Sequence, residues 1–339
     1  MLNETLEILQ SHQRFVITTH QRPDGDAIGS QISLGRFLTH LGKDVLLLNS
    51  DPAPPSLDWM IGSEKIQTEN TIENLEAISK ADVFVVVDAN TKDRLGKTVE
   101  RALKAYKGNI LLIDHHTAPE SWFTWMLRDE DAAATAVLIY DLICQYDPAL
   151  IDPQIATALY TAVMTDTGSF RFSAVSSKVL KMAADLLERG SDSPSTVYSR
   201  VYQNHSRMWP RLVSMVFQDI TFWNNGRLAL ISITRKMLES SSVDQGETHG
   251  LTDLIMSIGD VCVMVMLTET RHGIKVSFRS KGDYQVDSWA QRFGGGGHQN
   301  AAGAFLRHPM YEAVDIVIDS TPEFFSKDTI IQDDLPHYT

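Results

Sequence analysis

Four short apolar runs set the architecture of the first half of the chain: FVITT (15–19), DVLLLN (44–49), VFVVVD (83–88) and NILLID (109–114). Each is strand-sized and shows little alternation of polar and apolar residues. That pattern belongs to strands buried on both faces, as in a parallel sheet covered by helices. Between and after them lie helical stretches. AIGSQISLGRFLTHLG (27–42) has Asp26 suited to its N-cap and Gly42 to its end, and further helices are predicted at about 132–146, 153–164 and 176–189. The fold class that follows is α/β, with an N-terminal, mostly parallel open sheet and flanking helices.

Near residues 190–215 the character changes, with polar, proline-interrupted stretches such as SDSPS and QNHSRMWPR. These read as a linker with some helix. Beyond it, DITFW (219–223), LALISI (228–233), VCVMVMLTE (261–269) and GIKVSFRS (273–280) predict the strands of a second, smaller α/β domain. The expected division is a first domain over 1–190, a linker over 191–215, a second domain over 216–325 and a C-terminal tail over 326–339. With 339 residues, 43% of them hydrophobic, the chain can bury two ordinary cores.

Composition narrows the function classes. The net charge of −13 disfavours a protein that tracks long duplex nucleic acid, which calls for a basic groove. Small anionic substrates stay open, because bound cations can reverse a local field. No apolar run approaches the ~20 residues of a membrane helix, and the N-terminus MLNETLEILQSHQRF lacks the pattern of a signal peptide. The two cysteines, Cys144 and Cys262, stand far apart in no metal-binding pattern. A cytoplasmic protein with reduced thiols is the expectation.

In open α/β sheets, ligands bind outside the carboxyl ends of the strands. His20 follows the first run, Asp88 ends the third, and Asp114, His115 and His116 end the fourth. Asp24 and Asp26 lie in the loop entering the first helix, and Asp166 comes from MTDTGSF. Any one of these has an ordinary explanation as a helix cap, a strand end or a core histidine. Together they would crowd carboxylates that repel one another unless cations neutralise them. Aspartate with imidazole and no thiolate suits manganese better than calcium or structural zinc. Two such ions about 4 Å apart can activate water, bind phosphoryl oxygens and stabilise a leaving oxygen.

HQRPDGDAIGS, VVVDAN, IDHH and TDTG, in that order, resemble the four motifs of the DHH phosphoesterase superfamily, over most of residues 14–170. FGGGGHQNAAG (293–303) resembles the signature of the DHH-associated C-terminal domain. The resemblance implies that His20, Asp24 and Asp88 hold one metal, and that Asp26, Asp88, His115 and Asp166 hold the other. It implies that His116 meets the phosphate and can protonate the leaving oxygen, with Asp114 orienting a histidine. Asn90 departs from the Ser or Thr more common after the bridging aspartate.

In the second half the resemblance makes Gly294, Gly295, Gly296, Gly297 and His298 a substrate-binding loop, with His298 expected at a helix start. Glycines also let backbone N–H groups approach an anion. Arg279 is the best candidate for a phosphate clamp, as a planar fork suits phosphate, although a solvated strand end explains it equally well. Met256, Met264 and Met266 read as core packing, and Trp289 either as core or as a base-stacking ring.

A short two-domain chain of this kind most resembles the branch of bifunctional oligoribonucleases and 3′-phosphoadenosine-5′-phosphate (pAp) phosphatases. That implies hydrolysis of very short single-stranded RNA to mononucleotides and removal of the 3′-phosphate of pAp, with two Mn²⁺ ions as cofactor. A soluble phosphodiesterase for cyclic di-AMP or pApA is the alternative enzyme, and a non-catalytic nucleotide sensor the alternative of another class. Oligomeric state stays open, a homodimer included.

Overall fold

The computed structural model describes residues 1–243, 248 and 250–325. The expected tail over 326–339 lies outside the described residues. The chain divides into two units, Met1–Asn204 and His205–Thr339.

The first unit is built on five parallel strands, β1 (Arg14–Thr18), β2 (Asp44–Leu47), β3 (Val83–Val87), β4 (Asn109–Asp114) and β5 (Trp125–Arg128), in the order β2-β1-β3-β4-β5. Its helices are α1 (Leu2–Ser11), α2 (Gly25–His40), α3 (Ile72–Lys80), α4 (Gly96–Ala105), α5 (Thr135–Tyr146), α6 (Pro153–Asp166), α7 (Ser177–Glu188) and α8 (Pro194–Tyr202). Successive side chains of β1, β3 and β4 enter different cores, which is why these runs carry no polar face. Phe15, Ile17, Val83, Val85 and Val87 pack with α2, α5 and α6 on one side. Val16, Phe84, Val86 and Leu112 pack with α3 and α4 on the other. Val197 and Val201 of α8 join the first of these cores, so the first unit runs past residue 190.

The strand order reverses between β1 and β3, the point where an open parallel sheet leaves a crevice for ligand. The segments after β1 and β3 carry His20 and Asp88.

One cap differs from expectation. Asp24, not Asp26, caps α2: its backbone is extended and its Oδ1 accepts the Ala27 N–H at 3.1 Å. Asp26 lies one residue inside the helix, where its carboxylate is used by another element. Gly42, with φ of +72°, follows the helix end as expected.

Two glycines of α2 set how close it comes to α6. A Cβ at Gly29 would lie 2.4 Å from the Ala158 carbonyl oxygen, and one at Gly25 would lie 2.2 Å from Thr165 Oγ1. The first turns of α2 therefore lie against the α6 backbone at Ala158 and against the Thr165 side chain near the end of α6.

The second unit is also α/β, with a six-stranded sheet in the order β10-β11-β9-β8-β7-β6. Its strands are β6 (Thr221–Trp223), β7 (Leu228–Ile233), β8 (Val263–Thr270), β9 (Gly273–Ser280), β10 (Gly296–His298) and β11 (Ala301–Leu306). They are antiparallel except for the β7–β8 pair. Helices α9 (Trp209–Gln218), α10 (Arg235–Ser241) and α11 (Leu251–Met256) cover one face; α12 (Val286–Gln291) and α13 (Met310–Phe325) cover the other. Trp289 is fully buried and its Nε1 donates to Ser320 Oγ at 2.8 Å, so it is a core residue and not a base platform. Met264 and Met266 are buried and Met256 packs against the same core.

His298 does not start a helix. It ends β10, paired with Ala301 across a tight antiparallel turn. The glycines make this close pairing feasible: a Cβ at Gly295 or Gly297 would fall 2.1 and 2.5 Å from the Gly303 and Ala301 carbonyl oxygens.

Candidate metal centre

Residues from six segments of the first unit converge beyond the carboxyl ends of β1, β3 and β4. His20 is buried, and its Nδ1 lies 2.9 Å from the Gln21 carbonyl oxygen. Donation from Nδ1 to that carbonyl leaves the Nε2 lone pair as the ligand atom. Nε2 makes no hydrogen bond among the described residues and faces Asp24 Oδ1 at 3.8 Å and Asp88 Oδ2 at 3.4 Å. His115 repeats the device, with Nδ1 3.0 Å from the Ala132 carbonyl oxygen. Its Nε2 faces Asp166 Oδ2 at 3.4 Å, Asp88 Oδ1 at 3.6 Å and Asp26 Oδ2 at 3.9 Å.

Asp88 stands between the two imidazoles, one oxygen toward each. It holds a left-handed backbone, φ +57°, with its N–H donating to the Ile113 carbonyl at 3.1 Å. A non-glycine residue rarely adopts that conformation, which here turns the carboxylate off the end of β3 into the crevice. His20, Asp24 and Asp88 offer ligand atoms within 4.8 Å of one another, and so do Asp26, His115 and Asp166. A third group, Asp88, His115 and His116, overlaps both.

The electrostatics show why this cluster suits cations. Burial disfavours the His20 cation, but the facing carboxylates of Asp24 and Asp88 outweigh it and push the pKa up to about 10. His115 is pushed up to about 9 by Asp88, Asp26 and Asp166 against its own burial. Burial and the Asp88 charge push Asp26 up to about 7, and burial with the Asp26 charge raises Asp166 well above the carboxylate range. Protons thus take the place that positive charge must fill. The buried Nε2 of His20, the carbonyl-tied Nδ1 atoms and the oxygen-rich donor set fit a pair of divalent cations.

His116 sits beside this cluster, its Nδ1 2.7 Å from Oδ1 of the fully buried Asp114 and 3.6 Å from Asp88 Oδ1. With Nδ1 held by Asp114, Nε2 is the atom that can hold a transferable proton. Asn90 is buried and donates from Nδ2 to the Thr117 carbonyl at 2.6 Å, tying the segment after Asp88 to the one after His116.

Arg279 and residues 294–298 belong to the second unit. The register sets Arg279 opposite Ala301, and Ala301 opposite His298, so the three positions form one cross-strand row. Arg279 is half-buried, and its Nη1 donates to the Phe278 carbonyl at 2.9 Å. Burial lowers its pKa while Asp253 opposes the shift. Of the four glycines, Gly294 and Gly296 have open space where a Cβ would stand.

Two further participants lie outside the residues singled out from the sequence: Thr135 is 47 residues from its partner, whereas Ser30 sits one helical turn after Asp26, a spacing that could have revealed it. Thr135 Oγ1 donates to Asp88 Oδ1 at 3.0 Å, and Ser30 Oγ donates to Asp26 Oδ1 at 3.1 Å.

Residues 14–163 match the DHH family, N-terminal domain, and residues 229–326 match the DHHA1 domain. The chain is 32% identical over 294 residues to the bifunctional oligoribonuclease and PAP phosphatase NrnA of Thermus thermophilus, covering 86% of this chain and 83% of that protein. The chain belongs to the DHH family. A second relative, the NrnA of Bacillus subtilis with the same description, is 25% identical over 308 residues, 90% of this chain and 93% of its own length. Among solved structures, an exopolyphosphatase-related protein from Bacteroides fragilis superposes with a TM-score of 0.87 at 29% identity, covering 95% of this chain and 97% of that one. The DHH tripeptide that gives the family its name is Asp114–His115–His116 here.

Proposed function

We propose that this chain is a two-metal phosphoesterase that hydrolyses very short single-stranded RNA to mononucleotides and removes the 3′-phosphate of pAp. The observation that carries the reading is the pair of carboxylate–imidazole pockets that share Asp88. Similarity over most of the chain to proteins described as bifunctional oligoribonuclease and PAP phosphatase supplies the substrate class.

In this reading His20, Asp24 and Asp88 hold one cation, and Asp26, Asp88, His115 and Asp166 hold the other. The proposed ions are Mn²⁺, which suits mixed aspartate and imidazole ligands. Bound there, two such ions supply the Lewis acidity that polarises the phosphoryl group and lowers the pKa of water. The chain's own residues do the rest. The carbonyls of Gln21 and Ala132 fix the tautomers of His20 and His115. His116, with Nδ1 held by Asp114, delivers a proton from Nε2 to the leaving ribose oxygen. Arg279, Gly294–Gly297 and His298 bind the remaining phosphate or nucleotide.

The net charge of −13 supports short substrates over long duplex nucleic acid, whose tracking calls for a basic groove. Cys144 and Cys262 are free thiols, the state a reducing cytoplasm maintains, and we place the activity there.

A parallel assay of a short oligoribonucleotide, pAp and cyclic di-AMP with Mn²⁺ tests the reading. Turnover of the first two supports it. Turnover of cyclic di-AMP alone would make the chain a cyclic-dinucleotide phosphodiesterase, and nucleotide binding without turnover a sensor.

A further inference from the structure

We infer that Thr135 is a positioning residue that tunes one of the two cation pockets, the one formed by Asp26, His115 and Asp166, and leaves the His20–Asp24 pocket largely alone. The inference rests on the reading of the cluster as a metal centre.

Helix α5 has no side-chain cap of its own. The N-cap of α5 is Ala134, whose side chain cannot accept a hydrogen bond. The first N–H groups of a buried helix still need acceptors. Asp26 of α2 supplies them: Thr135 N–H donates to its Oδ2 at 2.6 Å and Ala136 N–H to its Oδ1 at 3.0 Å. Ser30 Oγ adds a third donor on Oδ1. Asp26 is thus held from three sides, with Oδ2 the less encumbered oxygen and the one that faces His115.

Thr135 then reaches the other carboxylate. Its hydroxyl, donating its single proton to Asp88 Oδ1, links Asp88 to the same helix start that fixes Asp26. Thr135, Asp26 and Asp88 are 0%, 1% and 2% exposed, so water does not substitute for this bond. The oxygen it grips is the one facing His115, while Oδ2 faces His20. The last torsion of an aspartate is soft. Without the hydroxyl, nothing at the start of α5 holds Oδ1, so the whole carboxylate can pivot about its Oδ2 contact with His20, which displaces Oδ1 from His115 more than it displaces Oδ2 from His20. A hydroxyl that merely fills space in the core would show no such preference between pockets.

The test is calorimetric Mn²⁺ binding to the full-length, metal-stripped protein without substrate. Thr135→Val keeps the shape and the backbone N–H to Asp26 but removes the hydroxyl. Two binding events are expected for the wild type, one of them lost in His20→Ala, which marks its pocket. Thr135→Val is expected to weaken the other event by about 10- to 100-fold, the usual effect of removing an outer-sphere partner. Thr135→Ser, which keeps the donor, should bind near wild-type affinity, and excess Mn²⁺ should restore kcat in Thr135→Val. Unchanged binding in Thr135→Val overturns the inference, as does equal weakening of both events or a Thr135→Ser as weak as valine. If the valine variant does not fold, Thr135→Ala, which also lacks the hydroxyl and keeps the backbone N–H, carries the same comparison against Thr135→Ser. A wild type that binds no Mn²⁺ would instead overturn the metal centre itself.

Discussion

Replacing Gly29 by alanine tests whether the spacing of α2 and α6 sets the geometry of the site. Asp26 lies in the first turn of α2 and Asp166 is the last residue of α6. The added Cβ would stand 2.4 Å from the Ala158 carbonyl oxygen, which belongs to the α6 backbone and cannot rotate away. An ordinary carbon–oxygen contact is about 3.3–3.6 Å, so the helices must part by about 1 Å. Alanine gains about 1 kcal/mol over glycine inside a helix. Overpacking at a rigid contact costs about 1–3 kcal/mol. The net loss of stability is therefore about 2 kcal/mol at most, or a fall of several degrees in Tm for a unit of this size. Activity should fall much further, because ligands tolerate displacements of only about 0.2 Å, and a misplacement of about 1 Å costs on the order of a hundredfold in rate. Urea unfolding measured beside kcat and Mn²⁺ affinity reads both effects. Gly259→Ala, at an exposed position with open space around its would-be Cβ, is the neutral control. A Gly29→Ala enzyme with wild-type kcat and metal affinity would refute the claim that this contact places the ligands.

Three further outcomes are expected. Asp88→Asn should lose on the order of a hundredfold or more in kcat while keeping its circular dichroism spectrum, since an amide cannot supply the charge shared by both pockets; near-normal kcat would remove Asp88 from the centre. Mn²⁺ should bind more tightly as pH rises. The His20 and His115 pKa values, pushed up to about 10 and about 9, keep both imidazoles protonated at neutral pH until the metal displaces the protons. Calorimetry in buffers of different ionisation heat should show proton release, and pH-independent affinity from pH 6 to 8 would contradict this. Arg279→Ala should raise KM for pAp and short RNA about tenfold to a hundredfold, the worth of a charge-assisted phosphate contact. Its effect on bis-p-nitrophenyl phosphate should be much smaller, and equal losses on both would assign Arg279 to folding or catalysis.

How far the sequence could be read depends on how local each cause is. The three inner strands of the first sheet, β1, β3 and β4, announce themselves because their apolar runs are buried on both faces, and the site residues at their ends break those runs. β5 does not: WMLR is a four-residue edge strand with a half-buried tryptophan and arginine at its ends. Asp24 and Asp26 are both good N-cap residues, and the sequence does not show that Asp26 serves the distant start of α5 while Asp24 caps α2. Thr135 stays hidden because its partners Asp26 and Asp88 are 109 and 47 residues away. Residues 294–298 read as a loop into a helix because glycines carry no strand propensity. Close backbone packing inside a hairpin, a tertiary cause, makes 296–298 a strand.

The most direct measurement is hydrolysis of a short oligoribonucleotide and of pAp by the metal-stripped chain during stepwise addition of Mn²⁺. The two-pocket reading predicts no turnover after chelation and recovery of both activities together, complete only when two ions are bound per chain. Full-rate hydrolysis by the stripped protein, or complete recovery with a single ion bound, would contradict it.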